Sequence, residues 1–498
     1  MNRVEDYLAD HLSTPDRATA LALTDSTDAR WSYGDLDAAA QALGAALTEK
    51  GVAPGDRVMI VSENCAAAVA ALFATWRIGA IALPVNARQS RSELQRIMEH
   101  ADPRAVLLTT DVSPDAVKHA QWLHAHSMPG PWGRIWAAFA MASDPYPDPE
   151  IAVLLYTTGT TGDPKGVMLT HENVRFGGLT SANLRGMTPR DMIYGVLPTT
   201  HVFGLCSVVV AAIYAGAPVR LVPRFEVGAV YDGLRDGVTL FSAVPQMHAL
   251  LMAHARAHGL TELGSATLRY VSSGAAPLDP TWKREAEAFY GVALQNGYGM
   301  TETTAGTSAT RNEIGDPDIS VGPPLPGIEV AIDVNAPGGG DNMGEVMTRG
   351  PHIMRGYFRN PIETEKVLDA QGWMHTGDLG RVDEKGHLHI LGRSKELIIH
   401  GGFNVYPPEV EAALNDHPGV VQAAVIGRQV KGDEEVLAFV QVPADSDLTE
   451  EALKTFVQDK LAGYKRPARI ILATTLPAAP TGKVLKHKLL DTFARDLS

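Results

Sequence analysis

Short apolar runs of buried-strand type alternate with longer helical stretches along most of the chain. Asp56 to Val61 leads through an Ala-rich segment to Gly79-Ala80-Ile81-Ala82-Leu83-Pro84, and Asp191 to Val196 leads through another to Gly216-Ala217-Pro218-Val219-Arg220-Leu221. Strand, helix, glycine stop and strand make a βαβ unit twice over. Further strand-like runs follow at Thr239 to Val244, Leu268 to Ser272 and Val292 to Leu294, with a helical stretch from Pro280 to Phe289. The pattern predicts an α/β body of doubly wound sheets, with ligands at the carboxyl ends of the strands.

After Gly322 the character changes. Pro323-Pro324-Leu325-Pro326-Gly327 and the turn Pro337 to Asn342 introduce short alternating runs, which predict a β-rich subdomain over roughly 322–393. A second change comes near Gly392-Arg393-Ser394-Lys395. Beyond it, Pro407 to Asn415, Val420 to Ile426, Val436 to Val442 and Glu450 to Lys460 carry helix and strand patterns of their own. We therefore expect a large N-terminal domain, 1–393, and a small α+β C-terminal domain, 394–498, with a hinge near Lys395. Val112 to Pro149, irregular and rich in Pro and Trp, reads as a loop with a short helix.

Composition narrows the class. At 498 residues and 45% hydrophobic content the chain can bury a large core. A formal charge of −14 opposes a nucleic-acid partner, so any phosphate site must be local rather than a basic face. Cys65 and Cys206, the only two cysteines, stand in apolar surroundings and exclude a disulfide framework. Met1 to Ser13 lacks a signal-type apolar core, and the most apolar segments are interrupted by Arg, Tyr or Gly, so no integral membrane segment is expected. A reducing cytoplasm fits this chain.

Candidate chemistry starts where the apolar run Ile151 to Leu155 ends. Tyr156-Thr157-Thr158-Gly159-Thr160-Thr161-Gly162-Asp163-Pro164-Lys165-Gly166 packs hydroxyls, glycines and one lysine into a few positions before Val167-Met168-Leu169 resumes the apolar pattern. Glycines let backbone N–H groups converge on an anion, hydroxyls add donors, and Lys165 adds charge. A flexible surface loop is the alternative. It is not a Walker A loop, because Gly166 and not Ser or Thr follows Lys165. Other polar clusters also follow predicted strands: Pro198 to Gly204 with His201, Ser272 to Pro277, and Asn296-Gly297-Tyr298-Gly299-Met300-Thr301-Glu302. Glu302 at the third glycine position rules out a dinucleotide fingerprint. Loops at the ends of neighbouring parallel strands would share one cleft, with a phosphate cradle, an aromatic face and a carboxylate, the set that ATP requires.

The order Thr-Thr-Gly-Thr-Thr-Gly-x-Pro-Lys-Gly resembles the signature loop of the class I adenylate-forming superfamily. So do Tyr298-Gly299-Met300-Thr301-Glu302, Thr376-Gly377-Asp378, Gly392-Arg393-x-Lys395-Glu396, Gly401-Gly402-Phe403-Asn404-Val405-Tyr406-Pro407 and Pro480-Thr481-Gly482-Lys483, in the family's order along nearly the whole chain. The chain looks most like an acyl-CoA or aryl-CoA ligase of this superfamily. The resemblance implies ATP, Mg²⁺ and coenzyme A.

By the same resemblance, Thr157 to Thr161, Gly162 and Lys165 hold the β- and γ-phosphates. Tyr298 stacks on adenine beside Ser273, Gly274, Ala275 and Ala276, with Asn296, Gly297 and Gly299 in the same wall. Thr301 contacts the α-phosphate and Glu302 holds Mg²⁺. Asp378 binds the ribose hydroxyls with Arg393 nearby. Lys483 bridges the substrate carboxylate and the α-phosphate during attack. The small domain then rotates about Lys395, so that Gly401, Gly402 and Phe403 line the passage for the pantetheine arm. Gly401 and Gly402 suit that passage because a Cβ would narrow it. His201 resembles a gate between the nucleotide and acyl sites and is not a general base, since a carboxylate nucleophile is already ionised.

For the acid, His201 to Ser207, Ser242 to Met247, Ser273 to Ala276 and Met300 to Ser308 are mostly small or apolar and contain no lysine or arginine. A second negative charge would be left unpaired there, which points to an aromatic, phenylpropenoic or medium-chain monocarboxylate. A free-standing adenylation enzyme loading a carrier protein, or a non-catalytic nucleotide-binding protein, are the alternatives. Monomer and homodimer both remain open.

Overall fold

The computed structural model describes residues 2–158, 164–274, 278–304, 306–340, 342–430, 433–479 and 484–497. Two sheets of eight strands form the body. The first runs in the order Ser308–Ala309, Leu294–Tyr298, Tyr270–Gly274, Leu240–Ala243, Ile193–Gly195, Val219–Leu221, Leu21–Thr24, Arg30–Ser32. Its six inner strands are parallel and only its edge strands are antiparallel. The chain leaves Ile193–Gly195 for Val219–Leu221 on one side and returns to Leu240–Ala243 on the other. Such a reversal opens a crevice at the carboxyl ends of the strands, and His201 lies on the loop that leaves it.

The second sheet pairs Arg57–Ser62 in parallel with both Ile81–Asn86 and Ala105–Leu108. All residues of the first two of these strands are buried, as sheets covered on both faces require. Ile151–Thr158 continues the sheet and pairs antiparallel with Pro164–Thr170, so the two strands flank the Thr/Gly segment. Trp76, fully buried on the helix Ala66–Arg77, donates from Nε1 to the carbonyl of Ala152 at 2.9 Å. It anchors the strand that carries the loop, and its loss to Ala would cost ~3–5 kcal/mol.

The β-rich subdomain is present as an antiparallel sheet of Glu329–Asp333, Gly344–Arg349, Met374–Val382 and Leu388–Arg393. Gly356–Tyr357, between its second and third strands, departs from it and pairs with Pro164–Thr170 of the body. After the turn Ser394–Glu396, residues 398–497 build separate hydrophobic clusters around the strands Gln422–Val430, Asp433–Gln441 and Arg469–Ala473 and the helix Pro407–Asn415.

Two expectations need correction. Val112 to Pro149 is not mainly a loop, because it forms the helix Pro114–Trp122 and the hairpin His126–Gly130 with Gly133–Phe139, which closes the edge of the second sheet. Pro114 stands in the first helical turn, where a missing N–H costs nothing, and Pro129 lies on an edge strand, where proline is tolerated. Ser272 to Gly274 and Asn296 to Tyr298 also do not follow strands. They are the last residues of the strands Tyr270–Gly274 and Leu294–Tyr298, paired Ser273 with Asn296 and Gly274 with Gly297. Among the described residues, no helix is long and apolar enough to cross a membrane.

Candidate active site

The carboxyl ends of the parallel strands and the β-rich subdomain meet at Asp378. Asp378 and Arg393 are cross-strand partners in the antiparallel pair Met374–Val382 and Leu388–Arg393. Arg393 donates from Nε to Asp378 Oδ1 at 3.0 Å, and the Tyr298 hydroxyl donates to Oδ2 at 2.6 Å. The backbone is fixed as well, since Asp378 N–H donates to Thr376 Oγ1 and that hydroxyl donates to the Val346 carbonyl. Burial and then the Asp378 carboxylate push the Tyr298 phenol far above its ordinary value, so it stays a donor. Asp378 in turn raises the Arg393 guanidinium. A buried carboxylate thereby accepts from one charged and one neutral donor.

Glu302 lies close by, in the short turn Thr301–Thr303 that follows Leu294–Tyr298, the outermost parallel strand of its sheet. Both Thr301 and Glu302 are buried. The backbone bends sharply here, and Thr304 takes a left-handed φ of +49°. It is held there by its hydroxyl, which donates to the His352 carbonyl at 2.7 Å. The Tyr357 hydroxyl donates to Glu302 Oε1 at 2.9 Å, and Arg393 lies within electrostatic reach of Glu302. Among the described residues, no group of three His, Cys, Asp or Glu is placed to hold a metal alone. A single carboxylate suits Mg²⁺, which takes one or two carboxylates and draws its other ligands from phosphates and water.

The side expected to take phosphate is built differently. Thr157 and Lys165 are paired across the hairpin, and Lys165 Nζ meets Glu363 Oε2 at 2.5 Å and stands 5.2 Å from the Tyr357 ring centroid. Lys165 and then Lys366 hold the Glu363 carboxyl down at about 2. The side chain of Thr158 and all of Gly159, Thr160, Thr161 and Gly162 lie outside the described residues, as do Ala275, Ala276 and Lys483.

The buried oxygens Ser273 Oγ, Asn296 Oδ1, Thr307 Oγ1 and Ser308 Oγ have no hydrogen-bond partner among the described residues. All are on adjoining strands or the turn between them, and Asn296 Nδ2 is already engaged by the Ser320 carbonyl at 3.0 Å. Buried polar atoms are normally paired, so a polar ligand or water is the natural partner for such a cluster. Gly297 fits closely packed backbone, as a Cβ there would lie 3.3 Å from the Ser308 carbonyl. Gly299 lies just beyond that strand, half-buried.

His201 is exposed, and its Nδ1 accepts the Phe203 N–H at 3.3 Å, capping the turn Val202–Gly204. The small size of Gly204 serves packing and not an open slot, because a Cβ would fall 2.2 Å from the Pro198 carbonyl oxygen. At Gly274 a Cβ would approach the Phe203 ring at 3.1 Å. Lys395, Gly401, Gly402 and Phe403 are not brought into this cluster. Lys395 is exposed at the junction, and the hairpin from Ile398 to Val405 bonds to Asp433 and Glu434 and stacks Phe403 on Tyr464 at 4.6 Å. A Cβ at Gly401 or Gly402 would meet open space, so in this arrangement their positive φ of +58° and +80° is what calls for glycine.

Tyr357 and Glu363 went unnoticed in the sequence. The available signal was Gly356-Tyr357 ahead of the helix start Asn360-Pro361, which marks a turn but gives no sign of a contact reaching back to Lys165.

Comparison with known proteins adds two family models. One described as AMP-binding enzyme matches residues 10–358, and one described as AMP-binding enzyme C-terminal domain matches residues 409–483. A 4-coumarate–CoA ligase 2 from Oryza sativa subsp. japonica is 32% identical, with 93% of this chain and 88% of that protein covered. A sulfoacetate–CoA ligase from Cupriavidus necator is 31% identical over 97% of this chain and 94% of that protein. Among solved structures, ATP-bound MatB from Rhodopseudomonas palustris superimposes with a TM-score of 0.84 at 31% identity, with both chains covered in full at 100%.

Proposed function

The chain belongs to the AMP-binding enzymes, the class I adenylate-forming superfamily of acid–thiol ligases, and on that premise we propose that it is a carboxylate–CoA ligase acting on an aromatic, phenylpropenoic or medium-chain monocarboxylic acid. The observation that carries the reading is the buried Asp378, gripped by Tyr298 and Arg393 beside Glu302 at the ends of the parallel strands. A carboxylate in that setting accepts the two hydroxyls of a ribose, while the Tyr298 ring offers a face to adenine.

In the first half-reaction a carboxylate oxygen of the acid attacks the α-phosphorus of ATP, the bond to the pyrophosphate oxygen breaks, and acyl-adenylate forms. Lys165, with Thr157 and the hydroxyls and glycines up to Gly162, would hold the departing phosphates. Thr301 would contact the α-phosphate, and Glu302 would hold Mg²⁺, which supplies charge neutralisation at the phosphates. Lys483 would stabilise the charge that develops in the attack. In the second half-reaction the CoA thiolate attacks the acyl carbonyl and AMP leaves. Residues 394–498 would turn about Lys395 between the two steps, bringing Gly401, Gly402 and Phe403 to the pantetheine arm. His201 would separate the acyl and nucleotide compartments.

The monocarboxylate assignment is supported by the absence of lysine and arginine from 201–207, 242–247, 273–276 and 300–308. Because one relative is a sulfoacetate–CoA ligase, the test includes a charged acid. ATP, Mg²⁺ and CoA are supplied with benzoates, cinnamates, C4 to C12 fatty acids and sulfoacetate, and AMP and thioester are measured. Turnover confined to uncharged-tail acids is expected. Preference for sulfoacetate would overturn the substrate class, and thioester formed only on a carrier protein would overturn CoA as acceptor.

A further inference from the structure

Tyr357 stands between the two charged groups that the proposed reaction uses on the phosphate side. Its hydroxyl donates to Glu302 Oε1 at 2.9 Å, and its ring face lies 5.2 Å from Lys165 Nζ. Little freedom is left to it. Tyr357 pairs with Val167 in the short antiparallel bridge that ties 356–357 to the Lys165 strand, and its N–H donates to Thr364 Oγ1 at 2.9 Å. Three residues earlier, Met354 N–H donates to the Glu302 carbonyl at 2.9 Å. Gly356 takes a φ of +139°, and a Cβ there would lie 2.8 Å from Thr364 Cγ2, so the bend into Tyr357 depends on glycine. The same segment is thus bonded to the main chain of Glu302 and paired with the strand of Lys165, and the ring is 7% exposed.

We infer that Tyr357 is a positioning residue of the adenylation site, whose hydroxyl fixes which oxygen Glu302 presents to Mg²⁺ and whose ring holds the Lys165 ammonium in line with the phosphates. This rests on the reading given above. A carboxylate with one oxygen tied to a phenol turns its other oxygen outward in one direction, and a metal ion that gains a single protein ligand is sensitive to that direction. The ring adds a cation–π contact that keeps the ammonium near the site after it leaves Glu363.

The hydroxyl can be removed with the ring retained, so Tyr357→Phe separates the two effects. ATP affinity is measured by calorimetry with Mg²⁺ and with chelator. The wild type should bind ATP more tightly with Mg²⁺, and Tyr357→Phe should lose roughly 10-fold of that Mg²⁺-dependent gain while binding metal-free ATP as the wild type does. In pyrophosphate exchange the variant should need more Mg²⁺ for half-maximal rate, with the KM for the acid unchanged. In a Glu302→Gln background, Tyr357→Phe should have no further effect on the Mg²⁺ dependence. Equal loss of ATP affinity with and without Mg²⁺ would mean a merely structural tyrosine, and an unaltered Mg²⁺ dependence or additive effects with Glu302→Gln would also overturn the inference. If the wild type shows no acid-dependent exchange, the ligase reading fails, and the calorimetric comparison still decides the role of Tyr357.

Discussion

Two carboxylates flank the candidate nucleotide site, and they are held in opposite ways. Asp378 is buried, with one oxygen on the Tyr298 phenol and the other on Arg393, its cross-strand partner. Glu363 is half-exposed at the start of a five-residue helix, Pro361–Glu365, and its partners are the flexible side chains of Lys165 and Lys366. The first arrangement is built before any ligand arrives. The second is an ion pair near solvent, screened by salt, which an incoming phosphate would displace. The proposed ribose wall is therefore preformed, and the proposed phosphate wall carries a lysine paired with a carboxylate that it would exchange for substrate.

The largest effect should come from breaking the preformed side. Asp378→Ala removes the acceptor proposed for two ribose hydroxyls and leaves Arg393 without its buried partner. Charge-assisted hydrogen bonds are worth ~1.5–3 kcal/mol each, so kcat/KM for ATP should fall on the order of 10²-fold or more in pyrophosphate exchange. A loss under about 5-fold would remove Asp378 from the nucleotide site. Tyr298→Phe keeps the ring and deletes only the donor to Oδ2. It should raise the KM for ATP roughly 10-fold and spare the KM for the acid, and an equal rise in both would show that the phenol serves packing alone.

On the exchangeable side the sign reverses. Glu363→Gln frees Lys165 from its competitor, so ATP should bind up to about 5-fold more tightly, by calorimetry at low salt, and the gain should shrink as salt screens the pair. Weaker ATP binding in this variant would mean that Glu363 aligns Lys165 instead of competing for it. The acid limb follows from the same contact. Glu363 is held at about 2, below its ordinary 4.5, so the pair is intact above pH 4.5 and is lost as pH falls toward 2.

The sequence and the structure agree unevenly on this comparison, for physical reasons. Thr376-Gly377-Asp378 and Gly392-Arg393 are both legible as short motifs, and the parallel body follows from its repeated strand, helix and glycine pattern. That Asp378 and Arg393 face each other depends on the register of an antiparallel pair, which includes a shift between Leu379 and Gly380 that no local pattern reveals. The Lys165–Glu363 contact spans 198 positions and arises because Gly356–Tyr357 leaves its own sheet for the neighbouring one. Asn296 to Tyr298 reads as a loop because its residues are polar or small, yet polar residues at the carboxyl end of a parallel strand are what a binding crevice requires.

A third carboxylate arrangement, Asp279 facing Asp416, lies between the large body and the C-terminal unit and sets the smallest expected effect. Asp279 caps the helix Pro280–Tyr290, accepting the N–H groups of Thr281 and Trp282 at 2.7 and 2.9 Å, and its carboxyl also shares a hydrogen bond with Asp416 at the end of the helix Pro407–Asn415. Lys460 Nζ bonds Asp416 Oδ2, Arg284 donates to the nearby Thr281 hydroxyl at 3.0 Å, and His417 is adjacent. Burial, and then Asp416, raise the Asp279 carboxyl from 3.8 to about 6. A raised carboxyl binds its proton in the docked form, so docking is favoured below pH 3.8 and weakens as pH rises through about 6, where two carboxylates face each other. Gln246 Nε2 to Gln441 Oε1, at 3.3 Å, is a neutral contact across the same junction and should not titrate. Small-angle scattering between pH 4 and 7 should show a modest shift toward more extended forms on the alkaline side, still within a few-fold change of the docking equilibrium. Asp416→Asn supplies an amide donor that needs no proton, and it should flatten this dependence while leaving Asp378 chemistry untouched. The same pH response in Asp416→Asn and the wild type would take the carboxyl pair out of the docking equilibrium.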